Sequence, residues 1–429
     1  MRVASAVFAI LLVAYSVTSA YARDSKVSRV TVVDKDMVVG KDDTLRLLPG
    51  AKLRFKDGVG IIVYGTLDAD GGKGVGVTLG PAAKGVKWSG VRAASGGSIR
   101  LHNVSIKGAR EAVRVAGGRL TIASVNISGC EKGVIVEMMA EATVSGLKTR
   151  DIGKSAFSVR QDSRASLKDC SFDGPGDIGL SVTGKCGVTA AGVIFDRLDC
   201  GVRASYPGAS PELSDCVFTN GKYGVFAEYP DASPKLVRCR FSKNTYGVYS
   251  KKLSSPSVEA CEVSGNEYGV YVTEGAALSA RGSRITGNRY GVYVTFSSYP
   301  KVNGCDLSGN SVYAAYLDEQ SYDWVNANGD AQRRQQMGMR AMAAGQRGSQ
   351  ARQKGMDAAR YVNPKGGYVD FQGNYWGEQA GRDMTAAAGL AQVGTIYDYF
   401  DKESDIYEGK RYIRDKVDYS GYLPNNPVD

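Results

Sequence analysis

Tyr249, Tyr271 and Tyr293 recur at intervals of 22 residues, each ending the phrase Tyr-Gly-Val-Tyr, and Phe226 holds the same place 23 residues before Tyr249. Aromatic side chains repeated at one place offer a platform on which sugar rings or a partner's side chains can stack, at low entropic cost. Lys222, Lys243 and Arg289 flank the neighbouring turn and favour an anionic ligand. The competing role for the same rings is to stack on one another and stabilise the ladder of repeats.

Catalytic chemistry has fewer candidates. His102 is the single histidine of 429 residues. That leaves no His-based nucleophilic triad in evidence and rules out a His-rich zinc or copper site. In Ser98-Ile99-Arg100-Leu101-His102 the alternation turns Ile99 and Leu101 inward and His102 outward, at the end of a strand. A lone exposed histidine can serve as a base, which keeps acid–base chemistry open. Met337, Met339 and Met342 offer soft thioether sulfurs, but their basic surroundings disfavour a cation such as Cu(I). No catalytic residue, metal site or cofactor is expected.

The elements that must position these residues come from an internal repeat. One small residue can be followed through Gly90, Ala112, Gly133, Ala156, Gly179, Gly201, Gly224, Gly247, Gly269 and Gly291, always 21 to 23 apart. A fixed period of that length marks stacked units that cannot bury their apolar sides alone. In the unit around Cys261, three alternating pieces read as short strands: Pro256–Val258, Cys261–Val263 and Val270–Val272. Asn244, Asn266, Asn288 and Asn310 hold one turn position, where side-chain amides can bond from coil to coil. Three strands per coil, stacked in parallel for about ten or more coils, make an all-β right-handed parallel β-helix. Val248, Val270 and Val292 then face the core and the following tyrosines face out.

Eight cysteines would ordinarily suggest disulfides in an exported chain. Five of them (Cys170, Cys216, Cys239, Cys261 and Cys305) share one repeat position two residues before an apolar residue, on the core face. Parallel side chains about 5 Å apart suit a ladder of buried thiols better than a disulfide. The state of Cys130, Cys186 and Cys200 is open from sequence.

Residues 1–22 combine Arg2, an apolar stretch from Ala6 to Tyr15 and the small-residue end Ala20-Tyr21-Ala22, the pattern of a secretory signal peptide. No other stretch reaches the length of a transmembrane helix. The expected location is the periplasm or the extracellular space. Export and the lack of a reading motif argue against nucleic acid, despite a net charge of +10.

At the ends of the repeat a resemblance becomes specific. Leu47-Leu48-Pro49-Gly50-Ala51-Lys52-Leu53-Arg54-Phe55 and Val63-Tyr64-Gly65-Thr66-Leu67-Asp68-Ala69-Asp70-Gly71 resemble the entry coils of the pectin lyase-like superfamily. Trp88-Ser89-Gly90-Val91 is similar to its W-x-G-V coil, and Asn374-Tyr375-Trp376-Gly377 to its closing N-x-W-G coil. The resemblance implies the right-handed parallel β-helix with irregular caps, and it speaks weakly to activity. Many enzymes of that superfamily act on acidic polysaccharides, but the paired aspartates, G-H-G and R-I-K phrases of its hydrolases are missing. The clustered acidic calcium site of its lyases is missing too. Gln161-Asp162-Ser163 echoes the esterases without their second aspartate phrase.

The chain divides into 1–22 (signal peptide), 23–89 (cap and first coils), 90–316 (regular coils), 317–368 (insertion) and 369–429 (closing coil and tail). The insertion is rich in Gln, Arg and Met, and is expected to be partly helical or disordered. Arg333, Arg334, Arg340, Arg347 and Arg352 make it a basic arm for polyanions or a partner protein: Asp330 to Arg360 holds seven basic and two acidic residues, a net +5. The reading is an exported, non-catalytic β-helix that binds envelope or extracellular material, an acidic polysaccharide before an envelope protein. The alternatives are a polysaccharide lyase or uronan epimerase, and a scaffold for another exported protein.

Overall fold

The computed structural model describes residues 24–94, 96–325, 367–387 and 389–428. Alternating apolar positions place one residue in two on an interior face, and the chain winds so that three such faces meet around one core. Among the described residues the first sheet has fifteen strands, running from Ser25–Val27 through Ser98–His102 and Ser257–Glu259 to Lys416–Asp418. The second holds strands such as Val104–Lys107, Arg240–Ser242 and Glu262–Ser264, and the third holds Glu111–Ala116, Tyr246–Lys251, Tyr268–Val272 and Tyr290–Thr295. Strands Ser171–Thr183 and Ile194–Ser205 run unbroken from the second sheet into the third, which joins those two sheets into one network. Pairing between successive coils is parallel throughout, as expected for the β-helix.

Registry puts identical side chains over one another. Val225, Val248, Val270 and Val292 form one interior row with no exposure. Phe195, Phe218 and Phe241 stack in the second sheet at 4.8 and 4.6 Å with nearly parallel rings. The small residue of the phrase has a steric cause: a Cβ at Gly224 would lie 2.5 Å from the carbonyl oxygen of Gly247 and 2.7 Å from the Phe241 ring.

The turn asparagines form the expected ladder. The Asn244 backbone N–H and side-chain amide both donate to Asn266 Oδ1, at 3.0 and 3.1 Å, and Asn266 repeats this onto Asn288. Asn288 does the same onto Asn310. All eight cysteines are buried and free, including the three left open by the sequence. The five that share a repeat position line the core, where the Cys239 N–H points at Cys261 Sγ at 3.4 Å.

Both ends differ in detail from the sequence expectation. Parallel coils run from Ser25 through the stretch expected to hold the cap and first coils, and they are longer there, with Gly60 paired to Gly90. Trp88 fills the core of these coils, stacked on Phe55 at 4.3 Å. At the other end the coil continues past Tyr316 to Asp318, and Gln320 and Ser321 are buried. Most of the insertion, including Arg333, Arg334, Arg340, Arg347, Arg352 and the methionine cluster, lies outside the described residues. The chain returns at Tyr368–Asp370, and Asn374 continues the cysteine row, accepting the Cys305 N–H at 2.8 Å as Cys261 Sγ accepts that of Cys239. A helix, Glu378–Ala386, and an antiparallel hairpin, Ser404–Tyr407 with Lys410–Ile413, complete the tail.

Candidate functional site

The outward row of the third sheet changes character along the rod. It reads Arg92, Arg114, Ile135, Ser158, Ser181 and Arg203, and then Phe226, Tyr249, Tyr271, Tyr293, Tyr316 and Tyr397. Tyr223, Tyr246, Tyr268, Tyr290 and Tyr313 make a second row beside it. The sequence placed Phe226, Tyr249, Tyr271 and Tyr293 on one face, and the structure brings them together. It adds Tyr316 and Tyr397. Tyr316 had a signal, because Tyr313-Ala314-Ala315-Tyr316 keeps the spacing of the phrase. Tyr397 had none.

The two rows interlock. Along the outer row Tyr249, Tyr271 and Tyr293 stack at 5.0 and 4.9 Å within 7° of parallel. Across the rows the rings meet edge to face, as Tyr246 and Tyr249 do at 5.1 Å and 80°. Each ring therefore spends its faces on its neighbours and turns an edge outward, half-buried. This corrects the expectation of a platform on which sugar rings lie flat: inside the wall no face is free. Phe226 is corrected further. It is 9% exposed, covered by Arg203 and Lys251, each 5.3 Å from its ring centre.

Burial of the phenols raises their pKa, to about 12 at Tyr271 and Tyr316, so their hydroxyls stay neutral donors at ordinary pH. Tyr293 shows what such a hydroxyl does beside an acid: it donates to Asp318 Oδ2 at 2.6 Å. Of the flanking cations, Lys222 lies 5.1 Å from the Tyr223 ring centre and Arg289 lies 5.4 Å from that of Tyr290. Arg289 also reaches Glu267 at 3.5 Å. Lys243 stands exposed on the adjoining turn.

Other polar sites lie apart from the wall. His102 Nδ1 and Asp70 Oδ1 are 2.8 Å apart on the outer face of the first sheet, both well exposed. Asp70 is held below the usual carboxylate range, first by the Gly72 N–H and then by His102. A cleft of about 340 Å³ near the start of the third sheet is lined by Arg92, Arg110, Glu111, Arg114 and Lys132 among others. Glu137, 3% exposed, sits between Arg114 and Arg160, each with a nitrogen 2.5 Å away, which ties three coils together. Among the described residues no group of His, Cys, Asp and Glu is arranged to hold a metal ion.

The fold agrees with known proteins. The family model of the right handed beta helix region matches residues 89–231 and 223–329, more than half of the 429-residue chain. The A-module of the mannuronan C-5 epimerase AlgE4 of Azotobacter vinelandii covers 67% of this chain and 82% of its own, at 16% identity and a TM-score of 0.38. The A-module of AlgE6 from the same organism, with 67% and 81% covered, gives 13% identity and 0.36. The periplasmic alginate epimerase AlgG, with 67% and 73% covered, gives 10% and 0.28. These are distant likenesses and carry no activity across. No curated protein matches the sequence. The family match and the parallel sheets agree, and the chain belongs to the right-handed beta helix family.

Proposed function

We propose that the protein is an exported, non-catalytic β-helix that holds an acidic polysaccharide along its tyrosine wall. The observation that carries this reading is the spacing of the hydroxyl-bearing rings. They repeat every 4.9 to 5.0 Å along the rod from Tyr249 to Tyr293, close to the rise of one sugar unit in an extended β-linked chain. A glycan laid parallel to the rod meets one phenol per sugar. The bond from Tyr293 to Asp318 is a ready example of the contact a uronate carboxylate would make. Lys222, Lys243 and Arg289 supply positive charge along one edge. Export rests on residues 1–22, and among the described residues no helix is long and apolar enough to cross a membrane.

Affinity electrophoresis through gels containing a polyuronate or a neutral glucan tests this. Retardation by the polyuronate alone is expected, and the combined Tyr249→Phe, Tyr271→Phe and Tyr293→Phe variant keeps the stacked rings while losing the donors. At about 0.5–1.5 kcal/mol per lost hydrogen bond, affinity falls by at least roughly tenfold. Undiminished retardation of the variant would sink the reading.

A second reading, a polysaccharide lyase or uronan epimerase, draws on the His102–Asp70 pair, in which a carboxylate orients an exposed imidazole. Ultraviolet-absorbing unsaturated products that disappear in His102→Ala would support a lyase. A change in uronate composition seen by NMR would support an epimerase.

A further inference from the structure

The corner between the third and first sheets carries aromatic rings of a different kind from the wall. The phrases Ser205-Tyr206-Pro207-Gly208-Ala209-Ser210-Pro211 and Glu228-Tyr229-Pro230-Asp231-Ala232-Ser233-Pro234 place two tyrosines in successive coils. Both sit at positive φ, 69° for Tyr206 and 83° for Tyr229. That region is rare for a bulky residue, but this corner adopts it coil after coil, with Met138, Gln161, Lys252, Glu274 and Phe296 at the equivalent positions. Gly184, which precedes Tyr206 by one coil, adopts φ 74° with no such penalty. The turn therefore sets the positive φ and takes glycine as readily as tyrosine, so it does not itself require a ring here.

The placement leaves a ring face open. Tyr206 stacks on Tyr229 at 5.5 Å and 18°, and Lys252 Nζ lies 4.9 Å from the Tyr229 ring centre. Gly184 has no side chain to cover the other side of Tyr206, which is 52% exposed. Beside the stack, Glu228 is buried at 5% exposure and draws in three cations: Arg203 at 2.5 Å, Lys251 at 3.8 Å and Lys252 at 3.9 Å. One buried carboxylate stands against three cations, with the exposed Glu274 one coil beyond Lys252. The lysine side chains are 22% and 29% exposed, so they are held in place while still reachable.

We infer that this corner is a separate binding site for a single acidic sugar unit. The apolar face of the pyranose stacks on Tyr206, and its carboxylate or sulfate meets Lys251 and Lys252. Arg203 and Glu228 position those amines. The inference rests on the reading above only for the class of ligand, because the wall offers ring edges and this corner offers a ring face.

Calorimetric titration of the full chain with a uronate trisaccharide, a sulfated trisaccharide and a neutral one tests the site. Binding of at least one acidic sugar and weaker binding of the neutral one are expected. Tyr206→Gly and Lys252→Ala should each weaken that binding about tenfold, with the melting temperature of Tyr206→Gly unchanged or raised as the φ strain is relieved. Acidic binding that survives in the Tyr249, Tyr271 and Tyr293→Phe variant and falls when Tyr206→Gly is added to it belongs to the corner, which separates failure of the wall from failure of the corner. No acidic binding, equal binding of the neutral sugar, or unchanged affinity in Tyr206→Gly overturns the proposal. A lowered melting temperature in Tyr206→Gly also overturns it, because the ring would then be structural.

Discussion

The Tyr397 ring lies 4.4 Å from that of Tyr316, 8° from parallel, although the whole insertion separates them in sequence. The closing strand Ile396–Tyr397 thereby caps the aromatic wall as well as the third sheet. Tyr397 also supports the Arg414 guanidinium at 5.0 Å.

Removing that cap should loosen the end of the rod and little else. Tyr397→Ala forfeits an aromatic pair, worth about 0.5–1.5 kcal/mol beyond its buried area. Because coils contact only their neighbours, amides of Tyr313–Asp318 should lose hydrogen-exchange protection while those of Glu111–Ala116 keep theirs. Uniform loss along the rod would contradict this.

The asparagine ladder should be costly to interrupt. Asn266→Ala leaves the buried Asn244 N–H and side-chain amide without their shared acceptor. An orphaned buried donor costs about 1–3 kcal/mol, so a loss of at least roughly 2 kcal/mol is expected in denaturant unfolding.

The eight thiols should be silent in the folded protein. Burial pushes Cys130 and Cys305 up to about 11, leaving almost no thiolate at neutral pH. Thiol titration should find little fast reaction in buffer and all eight groups in denaturant. Rapid native labelling of several would show that the core is not closed.

Two buried carboxyls should make the C-terminal tail pH-dependent. Burial raises Asp398 and Asp415 from 3.8 to about 6, despite the N–H and O–H groups that donate to them. The folded form holds these protons more tightly than the unfolded form. Their contribution is therefore fully present below pH 3.8 and is lost as pH rises through about 6, on the order of 1–3 kcal/mol each. Protection of Lys416–Asp418, where the Val417 N–H meets Asp398, should fall between pH 4 and 7. Asp398→Asn should flatten that dependence.

Much of this was legible before any coordinates, for a physical reason. In a stacked coil every turn repeats the environment of the last, so the period itself reveals which side chains share a row. The Val248 and Cys261 core rows, the Asn244–Asn310 ladder and the outward Tyr249, Tyr271 and Tyr293 could all be read from it. Tyr397 could not, because it joins the row from a tail outside the repeat. The Tyr206–Tyr229 stack was missed because its phrase occurs only twice and its rings depend on positive φ, which periodicity does not report.

Sequence alone determined the coil, its period and which positions face in or out, since these follow from alternation and a fixed repeat length. Only the tertiary structure decided what the outward rings can offer. Parallel registry brings successive coils about 5 Å apart, the thickness at which one ring covers the next, so the wall's tyrosines turn edges outward and cover one another's faces. At the corner, Gly184 in the coil before Tyr206 leaves one ring face bare.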